Sequence, residues 1–137
     1  SKGCELGEAL GCDSAGKLLI GVQRDKYPNV TLDPKAGIEF LEKGCSIDNE
    51  TMRFDVQKSC YAVCKTRGYG GPGIEKDIDK AIQAGTRGCD LDHMQSCELV
   101  SRFLARAGKN VQAEEYRKKY EEFRRQIQSQ AELRMGR

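Results

Sequence analysis

Ser59-Cys60-Tyr61-Ala62-Val63-Cys64, then Gly68-Tyr69-Gly70-Gly71-Pro72-Gly73, then Arg87-Gly88-Cys89 followed by Cys97, form the stretch that decides the fold. It reads as one unit: a cysteine-led helix, a glycine-rich turn, a second helix opened by Asp77, and a closing Gly-Cys pair. Its parts recur on both sides. A basic residue, Gly and Cys stand together at Lys2-Gly3-Cys4, Lys43-Gly44-Cys45 and Arg87-Gly88-Cys89, and Asp33 precedes Cys45 by the same twelve residues that separate Asp77 from Cys89. Self-similarity at this period marks a stacked repeat array rather than a single globular core. A further register follows the leading cysteines. Four residues after Cys12, Cys60 and Cys97 come Gly16, Cys64 and Ser101. All are small, which predicts close approach of the two helices in each repeat.

The spacing predicts a first helix over 9–22, with Leu18 and Leu19 on its buried side and a break at Lys26-Tyr27-Pro28-Asn29. A second helix is expected over 33–45, with Ile38, Leu41 and Gly37 on one face. Asp33 and Asp77 suit helix N-caps, and Pro34 suits a first turn. Gly44 and Gly88 are expected to end their helices. Three more helices are placed over 54–67, 75–89 and 94–107. From about 110 a last helix carries Tyr116, Tyr120, Phe123 and Ile127 as one apolar stripe, with Glu114 to Lys118, Glu115 to Lys119 and Glu121 to Arg125 in the favourable charge order. It reads as a cap on the array, with fraying expected beyond Gln128. The whole is an all-α αα-hairpin repeat solenoid, with hairpins at 12–45, 60–89 and 97–137. Because Ser1-Lys2-Gly3-Cys4 reads as the tail of a repeat, further repeats are expected ahead of it.

Composition narrows the function classes. Lys and Arg number 23 against 21 Asp and Glu, so there is no basic field to hold nucleic acid. The longest apolar run, Leu18-Leu19-Ile20, is far too short to span a membrane. Seven cysteines in 137 residues argue for a disulfide framework and hence an oxidising compartment.

These residues resemble the Sel-one-like repeat, an αα-hairpin related to the tetratricopeptide repeat, and in particular its cysteine-rich branch. In that branch two cysteines with seven residues between them tie each hairpin to the next. The resemblance implies bridges Cys4–Cys12 and Cys89–Cys97, which have that spacing, and Cys45–Cys60, which has fourteen residues between its cysteines. The longer connection, 48–54, is read as an inserted turn or loop. Cys64 is then left as a free thiol. Glu75-Lys76-Asp77-Ile78-Asp79, Cys89-Asp90-Leu91-Asp92-His93 and the charged helix after Ser101-Arg102 look like the branch found in the mitochondrial intermembrane space. That likeness implies a non-enzymatic scaffold for cytochrome c oxidase (complex IV) assembly. Its partners would be respiratory-chain subunits or other assembly factors, and it would need no cofactor. The alternatives are a secreted or endoplasmic-reticulum repeat protein of the same fold, or a thiol-disulfide oxidoreductase using Cys64.

Each chemical candidate has a plainer reading. Cys64 lies one helical turn after Cys60 and could exchange with a disulfide if exposed. Its position is Gly16 and Ser101 in the sister repeats, which marks a packing site. Cys89, His93 and Cys97 could be drawn as a zinc set, but the Cys spacing is already explained by a bridge. His93 and Met94 could be drawn as haem ligands, but adjacent side chains point apart. The run Gly68 to Gly73 lacks the Gly-Lys-Ser/Thr ending of a phosphate loop. With one histidine no Ser/His/Asp or Cys/His set can be assembled, and the chain reads as no enzyme. Sequons at Asn29 and Asn49 bear on compartment only. Lys17, Lys65 and Arg102 each stand five residues after a leading cysteine. They are expected to form a basic stripe on the inner surface, suited to an acidic peptide or a lipid head group.

Overall fold

A computed structural model describes Cys12, Gly16, Lys17, Leu19, Ile20, Gly21 and residues 31–135. Over these residues the chain is all-α. Five helices follow in order: α1 (Pro34–Cys45), α2 (Arg53–Tyr69), α3 (Ile78–Asp90), α4 (Met94–Arg106) and α5 (Asn110–Met135). The residues described between Cys12 and Ile20 are helical as well. No strand occurs among the described residues; one antiparallel bridge, Gly71 with Ile74, closes the α2–α3 loop. The expected break at 26–29 and residue Leu18 lie outside the described residues.

Two of the starts follow from local chemistry. The Asp33 carboxylate accepts the Ala36 N–H at 3.1 Å with Pro34 at the first helical position, and Asp77 accepts the Lys80 N–H at 3.1 Å. Each satisfies an N–H that the helix itself leaves without a partner. The long connection before Cys60 is not a loose loop. Asn49 opens a 3-10 turn, Glu50–Met52, which runs straight into α2 at Arg53.

Gly44 and Gly88 depart from expectation, since neither ends its helix. α1 continues through Cys45 and α3 through Asp90. Both glycines face the following helix instead, where a Cβ on Gly44 would lie 2.6 Å from the Ser59 hydroxyl and one on Gly88 2.5 Å from that of Ser96. The missing side chain is needed for helix approach, not for a left-handed cap. The left-handed residue after α3 is Asp92, at φ 71°. The last helix also differs from expectation, remaining helical past Gln128 to Met135. Its stripe is half-buried at Tyr116, Tyr120 and Phe123 and emerges at Ile127, which is 55% exposed.

Packing follows chain order. α2 packs most extensively on α3 and α4 on α5, and α3–α4 and α1–α2 come next. Neighbour-on-neighbour contact of this kind fits stacked αα-hairpins. Ile38, Leu41, Val56, Val63, Leu99 and Phe103 form the main core, and Val100, Leu104 and Ala113 seat α5. Burying side chains as large as Leu41 and Phe103 contributes about 1.5–3 kcal/mol each.

Disulfides sit at the joints between hairpins. Cys45 is bridged to Cys60 and Cys89 to Cys97, with Cα atoms 4.5 and 4.6 Å apart. Cys12 is buried and disulfide-bonded; Cys4 lies outside the described residues. Arginines reinforce both joints. Arg87 donates to the Cys45 carbonyl at 2.5 Å and the Ile47 carbonyl at 2.9 Å, and Arg53 donates to the Leu91 carbonyl at 3.1 Å, which Gln57 also reaches. Helix C-termini leave carbonyls unpaired and carry partial negative charge, so a guanidinium there serves both needs.

Candidate functional site

On α2, Tyr61, Lys65 and Tyr69 are spaced four apart and therefore share one helix face. That face lines a groove of about 470 Å³ together with Lys17, Ile20 and the loop residues Gly70, Gly71, Pro72 and Ile74. No carboxylate is among the described lining residues. Two of the three basic residues expected as a stripe thus come together. Arg102 does not join them. It pairs with Glu98 on its own helix at 3.5 Å and does not line the groove. Tyr61 meets the His93 ring at 5.4 Å, and Tyr69 meets Phe103 at 5.2 Å, both edge to face.

The tyrosine rings are held in place. Phe103 is fully buried and takes the volume left by Gly68, where a Cβ would run into its ring. Against this support Tyr69 remains 49% exposed, and the Arg106 guanidinium lies 5.9 Å from its ring and 5.7 Å from that of Phe103. Neither Tyr61 nor Tyr69 was singled out by sequence reasoning, although their four-residue spacing from Lys65 placed them on its face.

Cys64 is fully buried and unbridged. Burial pushes its thiol up to about 12, only partly offset by a hydrogen bond with the Gly85 backbone. At neutral pH it holds no thiolate and offers no nucleophile. Its sulfur fills the space left by Gly85, where a Cβ would lie 2.7 Å away.

His93 is the residue ahead of α4. Its Nδ1 lies 2.7 Å from the Ser96 hydroxyl, and burial lowers its pKa, favouring the neutral ring. Met94 follows as the first residue of α4 and is half-buried. Because Cys89 and Cys97 are joined as a disulfide, neither offers a thiolate to a metal beside His93. Among the described residues no group of three or more His, Cys, Asp or Glu side chains is arranged to hold a metal ion. No described helix is long and apolar enough to cross a membrane. Of the two sequons, Asn29 lies outside the described residues. Asn49 is exposed, its side chain accepting the Thr51 N–H at 3.0 Å and the Thr51 hydroxyl at 2.7 Å. The arrangement as a whole is suited to binding through rings and cations.

No protein-family model matches the chain. Over 101 residues, 74% of the chain, it is 25% identical to a curated protein of Xenopus laevis, cytochrome c oxidase assembly factor 7A. The chain spans 41% of that relative's length.

Proposed function

We propose that this chain is a non-enzymatic scaffold of cysteine-rich Sel-one-like repeats. On this reading it supports cytochrome c oxidase assembly by holding protein partners in the mitochondrial intermembrane space. The observation that carries the reading is the 25% identity to the Xenopus assembly factor, which extends over 101 residues rather than one short motif. Bridged joints at Cys45–Cys60 and Cys89–Cys97 suit an oxidising compartment. Among the described residues the groove presents rings and lysines and no nucleophile paired to a base, which suits binding rather than catalysis. The buried Cys64 thiol weighs against thiol exchange.

Depleting the protein from cells and resolving respiratory complexes on native gels tests the role. Assembled complex IV should fall while ATP synthase is unchanged, and the protein should fractionate with mitochondria. Undiminished complex IV would overturn the assembly role. A glycan-shifted mass at Asn49 would move the chain to the secretory pathway.

A further inference from the structure

We infer that Cys45 is a modification site, where a small anionic thiol of the glutathione class enters from the cleft between α1 and α3 and displaces Cys60. The inference goes beyond the scaffold reading and stands whichever complex the partners build.

Reach sets this bridge apart. Of the bridged cysteines among the described residues, only Cys45 keeps exposed surface, 6%, whereas Cys12, Cys60, Cys89 and Cys97 keep none. Cys45 also lines a cleft of about 390 Å³, within the range that small-molecule sites occupy. Exchange requires a thiolate to meet a sulfur, so a bridge beside an open cleft is the labile kind and an enclosed bridge is kinetically protected.

The charges around the cleft are mixed in sign. Lys80, Arg87, Gln83 and Ser46 line it together with one carboxylate, Glu42. The Lys80 side chain is 49% exposed and stands 3.6 Å from Glu42. Arg87 turns Nε and Nη2 to the Cys45 and Ile47 carbonyls, which leaves Nη1 to meet a ligand. Glutathione carries two carboxylates and one ammonium. Two cations and one carboxylate around the cleft therefore answer it group for group.

The chemical step is an exchange. The glutathione thiolate attacks the Cys45 sulfur; a glutathione–Cys45 bond forms as Cys45–Cys60 breaks, and Cys60 leaves with the electron pair and takes up the proton shed by the attacking thiol. The glutathione sulfur is oxidised and the Cys60 sulfur reduced. Cys60 Sγ already lies 3.4 Å from the Cys45 carbonyl oxygen, which gives the new S–H an acceptor inside the core. The joint loosens without coming apart, because Arg87 still holds the Cys45 and Ile47 carbonyls and Ile38 and Leu41 stay in the core.

The test incubates the full, oxidised chain with buffered mixtures of reduced and oxidised glutathione at low salt, quenches with acid, alkylates after denaturation and maps the peptides. The glutathione adduct should sit on Cys45 with Cys60 alkylated, at times when Cys89–Cys97 is still linked and the circular dichroism is still that of the parent. Glutathione diethyl ester, whose carboxylates are masked, should react at least about threefold more slowly, and Lys80→Glu should slow glutathione by a similar factor while leaving the ester rate unchanged. Arg102→Glu, away from the cleft, should change neither rate, and unaltered melting temperatures would show that both variants are folded. An adduct on Cys60, equally early opening of Cys89–Cys97, or opening only as the helix signal is lost would overturn the inference. So would the absence of any adduct, or equal rates for glutathione and its ester, which would make the cleft a passage for any thiol.

Discussion

Cys64 and Gly85 show how single residues set the spacing of this stack. Gly16 and Cys64 hold equivalent places four residues after Cys12 and Cys60, and Leu41 and Gly85 hold equivalent places eight residues after Asp33 and Asp77. A Cβ on Gly16 would come within 2.6 Å of Leu41, and one on Gly85 within 2.7 Å of the Cys64 sulfur. One repeat therefore sets glycine against leucine, and the next sets cysteine against glycine. The thiol is filling volume. Adding a methyl at Gly85 would also press on Val100 at 2.8 Å, and both neighbours are buried. Gly85→Ala should accordingly cost about 1–3 kcal/mol in chemical denaturation. Gly71→Ala, where a Cβ meets nothing within 4 Å, should leave the curve in place.

The same thiol predicts a pH dependence. Its folded pKa is raised from 9.0 to about 12, so the folded state holds the proton while the unfolded state releases it. The stability this difference confers is present in full below about pH 9 and is lost as pH climbs toward 12, at up to ~1.4 kcal/mol per pH unit. Tyr116, raised first by burial and then by the nearby Asp90 charge, pulls in the same direction. A Cys64→Ser variant keeps the tyrosine and removes the thiol. Between pH 9 and about 10.5 the parent should lose stability faster than this variant in urea titrations. Parallel losses would mean that the thiol is not buried.

At the scale of elements, the joints bear the weight. Each disulfide closes a short loop, of sequence separation 15 at Cys45–Cys60 and 8 at Cys89–Cys97. On the chain-entropy account each stabilises by about 2.5–3 kcal/mol, and replacing either pair with alanines should cost that much in thermal or urea unfolding. Arg87 belongs to the repeated basic-Gly-Cys triplet, and its bonds to the Cys45 and Ile47 carbonyls cross from one hairpin to the preceding joint. Arg87→Met keeps much of the side-chain bulk but strands both carbonyls. It should cost about 1.5–3 kcal/mol without breaking the disulfide, as urea unfolding and thiol counting would show.

Elements also mark where sequence stopped being legible. The caps at Asp33 and Asp77 were readable because each bond spans three residues. The role of Gly44 and Gly88 was not, because the serines that crowd them belong to the following helix and only packing brings them there. Lys17 and Lys65 were found through repeat register, and Tyr61 and Tyr69 were available from helical spacing around Lys65. Arg102 shares the register but not the groove. Register fixes a place on a helix, and packing decides what that place meets: Arg102 meets Glu98 on its own helix.

Across the described residues one main core runs through α1 to α4, a smaller cluster seats α5 on α4, and the joints keep successive hairpins in step. Where α3 offers Gly85 and Gly88 to the following helix, α5 carries Arg117 and Tyr120 eight and eleven residues after Lys109, as those glycines stand after Asp77. Arg117 is engaged on α5 itself, with Glu114 at 2.6 Å and Glu121 at 3.0 Å. That face therefore lacks the small residues through which α3 receives its neighbour.

The central claim is that cysteine register bridges each hairpin to the next and leaves Cys64 as a buried packing residue. Peptide mapping of protein isolated without reductant, its free thiols alkylated only after denaturation, tests this most directly. The expected result is Cys45–Cys60 and Cys89–Cys97 linked peptides, with alkylated Cys64 in a third. Cys64 found in a bridge, or Cys60 linked to Cys89, would contradict it.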